Sequence, residues 1–325
     1  MIDIIPSPKK NIVLDATVLS TLMGCHRLTD IRFNHHLVPL TGKSNSLEVG
    51  SIVHKFLEIY YGSIIKGFNK NLAQQNGMAA AEMYIRGCST CTDFIPSETE
   101  SKPKCGHPIN EYPGVHNTPP DNEKRGEGFR VGWKWALETC EQYIDRWKND
   151  HWVPLEVEVV KGEVLYEDDE IRILWKAKID WIADTNQSIL SIDHKTSKQR
   201  RDVLSLNNQF IGQCMIMKTR QVIINKIGFQ ITLKPEEKFT RDPMNYSADR
   251  LIEWQSEILP YHAYQLIQNH ESGYWAPNFD HCETKYGKCI FTKVCESDRN
   301  MREQELKTNF KVGPQWNPAN IESDE

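Results

Sequence analysis

The sequence predicts an α/β fold in which helices cover a sheet, and three observations carry that expectation. Residues 171–198 alternate apolar and polar side chains as two strands joined by a polar turn. Stretches on either side repeat apolar residues at three- and four-residue spacing, the mark of amphipathic helices. An apolar run at 222–233, VIINKIGFQITL, reads as a further buried strand. Helix, strands, helix, strand, in that order, stacks helices on a sheet. The 325 residues allow one large domain or two ordinary ones, and 39% hydrophobic with 26% charged residues predicts a soluble globular chain. No apolar run approaches the length of a membrane span. MIDIIPSPKKNIVLDA lacks a basic region followed by an apolar core, so no secretory signal is expected.

Residues 12–40 hold an apolar pattern around Leu14, Val18, Leu19, Leu22 and Met23, a short helix with Cys25 at or near its end. The clearest helix spans 47–66, burying Val49, Ile52, Val53, Phe56, Leu57, Tyr60, Tyr61 and Ile64. Gly50, His54 and Glu58 form a separate row at the rim of that face. Gly50 costs the helix up to about 1 kcal/mol relative to alanine, which implies a close neighbour there. His54 reads either as an ordinary border histidine or as a ligand. Residues 69–126 change character, with Gly, Pro, Ser, Asn and charged residues dominating a long, partly irregular insertion. Within it Cys88, Cys91, Cys105 and His107 are either a zinc-binding loop or incidental thiols.

A second amphipathic helix follows at 126–150, with Cys140 among its core residues. Strands at 154–160 and 162–166 carry Glu156 and Glu158 on one face, and either carboxylate could reach a metal. In the central hairpin, Ser191, Asp193 and Lys195 share a face because side chains two apart point the same way. A turn centred near Asn186 or Gln187 sets Asp180 opposite Ile192 or Asp193. Directly opposed carboxylates repel by roughly 3 kcal/mol at an effective dielectric near 20. Either a divalent metal compensates, or the hairpin is exposed and Lys195 neutralises two surface acids. A helix at 202–220, the strand at 222–233 and a long helix at 247–270, kinked at Pro260, complete the core. Last come Cys282, Cys289 and Cys295, three cysteines within fourteen residues, a density that points to a metal or cluster site. Cys25 is the best fourth ligand, because the other cysteines belong to the insertion or to helix faces. Thiolates suit zinc or an iron–sulfur cluster. A net charge of −5 neither advertises nor excludes nucleic-acid binding, since a local groove outweighs the total.

Together these residues resemble the RecB-like branch of the PD-(D/E)XK nuclease superfamily, particularly forms encoded by bacteriophages. Gly50-Ser51-Ile52-Val53-His54 through Glu58 is similar to that family's first motif, Asp180 in KIDWI to its first acidic position, and Asp193-His194-Lys195 to the (D/E)-x-K. Gln209 stands at the glutamine of the Q-x-x-x-Y motif, while Gln213 stands where the family has tyrosine. The C-terminal cysteines with Cys25 resemble the iron–sulfur staple of AddB-type and CRISPR-associated relatives, at wider spacing.

The resemblance implies a restriction-endonuclease-like mixed sheet flanked by helices, with a large helical N-terminal part. It makes 1–325 a single nuclease domain, with insertion 69–126 and a cysteine staple at 271–300. It implies a Mg²⁺- or Mn²⁺-dependent DNA nuclease, an exonuclease in phage recombination, repair or replication, acting in the cytoplasm of a bacterial host. His54, Asp180, Asp193 and the main-chain carbonyl of His194 would hold the metal. Lys195 and Gln209 would serve catalysis, and Lys198, Arg200 and Arg201 would neutralise DNA phosphates. Cys25, Cys282, Cys289 and Cys295 would carry a [4Fe–4S] cluster, with zinc the alternative. Expected partners are DNA and a recombination or replication protein, with no membrane. The competing expectation is a catalytically silent DNA-binding accessory protein on the same core.

Overall fold

The structure, a computed structural model, describes residues 4–5, 9–40, 45–85, 123–197, 205–229, 233–284 and 287–316. Two antiparallel strands come first, β1 (Ile4–Ile5) and β2 (Lys10–Leu14). The Asp15 carboxylate then caps α1 (Ala16–Gly24), accepting from the Val18 amide at 2.8 Å. Cys25 ends α1, as expected, and α2 (His26–Thr29), a π turn (Asp30–Asn34) and β3 (Leu37–Pro39) follow. The sequence reading of 12–40 as helix alone missed β2, whose apolar run pairs with a strand some 160 residues away.

Three helices come next: α3 (Asn45–Ile65), α4 (Lys70–Ile85) and α5 (Glu123–Arg146). The second corrects the expectation of an irregular segment beginning at 69. Its buried face is made of small and polar residues, Ala73, Asn76, Gly77, Ala80 and Ala81, so the usual apolar stripe is absent. Gly77 lets α4 press against Phe56, whose ring would lie 2.9 Å from an added Cβ.

Then come β4 (Val153–Glu167), β5 (Ile171–Asp184), β6 (Ile189–Ser197), α6 (Asn208–Met217) and β7 (Gln221–Gly228). The two strands expected at 154–160 and 162–166 are one. The helix expected from 202 starts at Asn208, where the Asn207 side chain accepts the Gln209 amide at 2.8 Å. Next are α7 (Pro235–Lys238), β8 (Phe239–Asn245), α8 (Ala248–Glu253), a π turn (Trp254–Ile258) and α9 (Leu259–Ser272). Pro260 falls in the first turn of α9, where its missing N–H is tolerated, and the π turn absorbs the irregularity that the sequence predicted as a kink. A 3-10 turn (Phe279–His281), β9 (Glu283–Thr284), β10 (Gly287–Lys288), α10 (Thr292–Glu296), α11 (Arg302–Asn309) and β11 (Phe310–Val312) close the described chain.

The main sheet is mixed and seven-stranded, in the order β1-β2-β5-β6-β7-β8, with β4 also on β5. Strand β4 covers one edge of β5 along nearly all its length. The other edge is shared: β2 pairs in parallel with Ile171 to Trp175, and β6 pairs antiparallel with Trp181 to Asp184. Between them, residues 176–180 have no ladder partner on that side, so the sheet forks there.

Helices cover both faces. Helices α3, α4 and α5 pack on Trp181, Ala183, Ile192, Ile223 and Phe239. Helices α1, α6, α8 and α9 pack on Ile173, Trp175, Val222 and Ile224. Along β5 the odd-numbered side chains serve first one core and then the other, so the strand rolls over at the unpaired stretch. A third, small core of Ile31, Phe291, Val294 and Phe310 joins the chain ends, and β11 pairs antiparallel with β3. Among the described residues no helix is long and apolar enough to cross a membrane.

Candidate metal centre at the strand fork

Hairpin register is set by its turn. Thr185 N donates to Ser188 O at 3.1 Å, Asn186 N donates to Asp184 Oδ1 at 2.8 Å, and Asn186 takes a left-handed φ of 66°. Trp181 then pairs with Ile192, which selects Asp193 as the next residue opposite Asp180. The ladder stops before that pair forms. Instead the His194 amide donates to Asp180 Oδ2 at 2.7 Å, so the aspartate side chain takes the place of a strand partner.

Two other elements reach the same point. His54 on α3 sets Nδ1 3.9 Å from Asp180 Oδ2. The helix can come this close because Gly50, one turn earlier, sits against Thr196, whose Oγ1 would lie 2.7 Å from an added Cβ. This is the neighbour that the glycine implied. On β4, Val157 pairs with Trp181 and Val159 with Ile179, which places Glu158 across from Asp180. Glu158 has a φ of 49°, a left-handed conformation that costs a non-glycine residue about 1–3 kcal/mol. His54, Glu158 and Asp180 each bring a ligand atom within 4.8 Å of the others, a geometry open to a metal ion. Sequence reasoning could not separate Glu158 from Glu156; the structure does, since Glu158 and not Glu156 joins His54 and Asp180 in that group.

Asp193 faces the other way, toward α6, and is 1% exposed. Lys195 Nζ lies 2.7 Å from its Oδ2, Gln209 Nε2 donates to its Oδ1 at 2.7 Å, and Lys195 donates to Gln209 Oε1 at 3.1 Å. Lysine, aspartate and glutamine therefore form a closed triangle. Gln213, one turn along α6, is fully buried, and neither of its amide atoms has a hydrogen-bond partner among the described residues. Burial, then the nearby Asp193 charge, raises the Asp180 carboxyl above the ordinary aspartate range, while His54 acts in the opposite direction. Burial likewise raises Glu58, against the pull of Lys55.

His194 points its ring to the α3 side. It stacks on Tyr61 and Trp181 with centroids 6.2 and 6.1 Å away, and its Nδ1 lies 2.7 Å from Asn225 Nδ2. Burial, then the His54, Arg241 and Lys195 charges, pushes its pKa well down, so the ring is neutral and, with Asn225 donating, keeps its proton on Nε2. Behind it Asn225 also donates to Tyr143 Oη at 2.9 Å, and Tyr143 lies 2.8 Å from Tyr61 Oη. Arg241 closes the set. Its guanidinium pairs with Asp150 at 2.5 Å and lies 3.9 Å from the Trp147 ring centroid and 4.3 Å from that of Trp152. This buried scaffold was not read from the sequence. Its one signal was Asn225, a polar residue within an apolar strand.

The four cysteines of the expected quartet, Cys25, Cys282, Cys289 and Cys295, are all free and half-buried. Burial, then the charges of Cys295, Cys289 and Cys25, raises the Cys282 thiol, so the four lie within electrostatic reach of one another. Asn278 N donates to Cys25 Sγ at 3.4 Å, and Arg27 donates to Cys295 Sγ at 3.8 Å. The thiols do not close into a group within 4.8 Å. Cys88, Cys91, Cys105, His107, Lys198, Arg200 and Arg201 lie outside the described residues.

No protein-family model matches the chain, and no curated protein matches it. Among solved structures, one titled "Crystal structure of SSO0001" matches at 16% identity over 54% of this chain and 78% of that one, with a TM-score of 0.28. At that score the likeness carries no argument.

Proposed function

We propose that the chain is a divalent-metal-dependent DNA nuclease on a restriction-endonuclease-like core of the RecB-like PD-(D/E)XK type, an exonuclease of phage recombination, repair or replication. The observation that carries this reading is the meeting of His54, Glu158 and Asp180, from three separate elements, at the unpaired stretch of β5, with the Asp193–Lys195 pair beside them on β6. The donor set, carboxylate oxygens with one imidazole, suits Mg²⁺ or Mn²⁺. A divalent ion bound there would supply polarisation of a phosphate oxygen and an acidified water.

The chain's own residues do the positioning. The Asp180 carboxylate is fixed by the His194 amide, and the His194 ring is fixed by Asn225. Lys195 is held by Asp193 and Gln209 with its side chain 37% exposed, so its ammonium can face a phosphate or orient a water. The cysteine quartet is proposed to carry a [4Fe–4S] cluster that staples the chain ends. A brown protein with broad visible absorbance is the expected result, and a colourless protein containing zinc overturns the cluster.

The test is labelled linear and circular DNA with Mn²⁺. Linear DNA is degraded and circular DNA is spared, and Asp193→Ala or Lys195→Ala abolishes cleavage with the fold retained. Metal-dependent cleavage that survives both substitutions ends this assignment.

A further inference from the structure

Around the fork, among the described residues, the acidic groups are matched to basic ones with a single omission. Glu58 pairs with Lys55 at 3.0 Å, Asp193 with Lys195 at 2.7 Å, and Glu158 with Lys178 at 2.8 Å. Asp180 is the remaining carboxylate, and its partners are the His194 amide and His54. Four carboxylates against three ammonium groups leave one negative charge, and it sits on Asp180.

Lys178 is the unusual member of the set. It lies two residues before Asp180 on β5, and both side chains approach Glu158 of β4. Its ammonium is within bonding distance of a carboxylate that also belongs to the metal-competent group. Against the effect of burial, the charges of Glu158, Asp180 and Glu58 all favour its cationic form, so the field at this point is negative. That is the environment a second divalent ion would need.

Resting on the metal-centre reading above, we infer that the centre binds one divalent ion, between His54, Glu158 and Asp180, and that the Lys178 ammonium occupies the place of a second. Charge balance agrees. One divalent ion and one phosphodiester bring the pocket to neutrality, whereas a second ion would leave it doubly positive beside a fixed ammonium. In sites that hold two ions, the metals stand about 3.5–4 Å apart and share a carboxylate. Lys178 already satisfies the shared carboxylate, Glu158, from that side. The lysine therefore sets the stoichiometry of the centre and limits Glu158 to one ion.

The test counts bound Mn²⁺ on the full-length chain, by calorimetry and by electron paramagnetic resonance. Asp180→Asn serves as the blank for ions held elsewhere. Mn²⁺ favours oxygen and imidazole over thiolate, so the cysteines stay silent. The wild type binds one ion above the blank, and so does Lys178→Arg. Lys178→Met binds two, and the pair shows the spectral broadening of coupled neighbouring ions. If the methionine variant does not fold by circular dichroism, Lys178→Gln, neutral and polar, carries the same comparison. Two ions in the wild type, or one in a folded neutral variant, overturns the role of Lys178. No ion above the blank in the wild type overturns the metal-centre reading itself.

Discussion

Replacing Asp180 by asparagine stabilises the metal-free protein at neutral pH. Burial, followed by the Asp193 charge, lifts the Asp180 carboxyl from the ordinary 3.8 to about 6. The folded state thus holds this proton more tightly than the unfolded state does. The contribution favours folding below the unfolded value and is lost as pH rises through the folded one. A gap of about two pH units corresponds to about 3 kcal/mol at full ionisation. Asparagine removes the charge and keeps a carbonyl for the His194 amide, which sits 2.7 Å from the aspartate oxygen. Part of the 3 kcal/mol is lost to imperfect fit of the new amide, so a gain of about 2 kcal/mol is expected, or a rise of roughly 4 °C in melting temperature. Calorimetry in chelator near pH 7.5 measures it, and the difference should vanish near pH 4. Mn²⁺ should reverse the order, because the wild type alone gains stability by binding it. An asparagine variant that melts below the wild type in chelator, or a gap that widens as pH falls, refutes the reasoning.

Two further predictions concern the frame. Gly212 of α6 rests on Trp175, and an added Cβ would lie 2.2 Å from the indole Nε1, so Gly212→Ala should lower the unfolding free energy by about 1–3 kcal/mol as α6 is pushed off the sheet. Because α6 also carries Gln209, the same variant should lose cleavage rate out of proportion to its loss of fold, measured by single-turnover digestion. Arg241→Met strands the Asp150 carboxylate, 15% exposed, and should cost about 3–5 kcal/mol in urea unfolding, with Asp150→Asn in the same chain recovering part of it.

The hairpin and its acids were legible because both rest on local rules. Alternation put Asp193 and Lys195 on one face, and a short polar turn narrowed the residue opposite Asp180 to two candidates. His54 was legible as a rim position, and Gly50 as a point of close approach. What escaped depends on contacts distant in sequence. Strand β2 gains its meaning from pairing with β5, and no periodicity in five residues announces that. The choice of Glu158 over Glu156 follows from the β4–β5 register, and Glu158 there takes a left-handed backbone angle to which side-chain pattern is blind. Helix α4 buries alanine, glycine and asparagine, which a search for apolar stripes passes over. The Arg241 scaffold unites residues from α3, α5, β7 and β8 with two tryptophans, a set that only the folded chain assembles.

Strand β5 explains why the site lies where it does. In an unbroken ladder, Asp180 and Asp193 would be direct cross-strand neighbours about 5 Å apart, and both would leave the sheet on the same side. Helix α3 would then be cut off from the acids by the sheet itself. The fork removes that barrier. Asp193 keeps the α6 side with Gln209 and Lys195, while Asp180, released from the ladder, meets His54 of α3 and Glu158 of β4. The His194 amide, which lost its strand partner in the break, is satisfied by the Asp180 carboxylate, so opening the sheet leaves no buried donor orphaned there. Residues from helices on opposite faces can therefore share one centre only at residues 176–180, where β2 has ended and β6 has not begun.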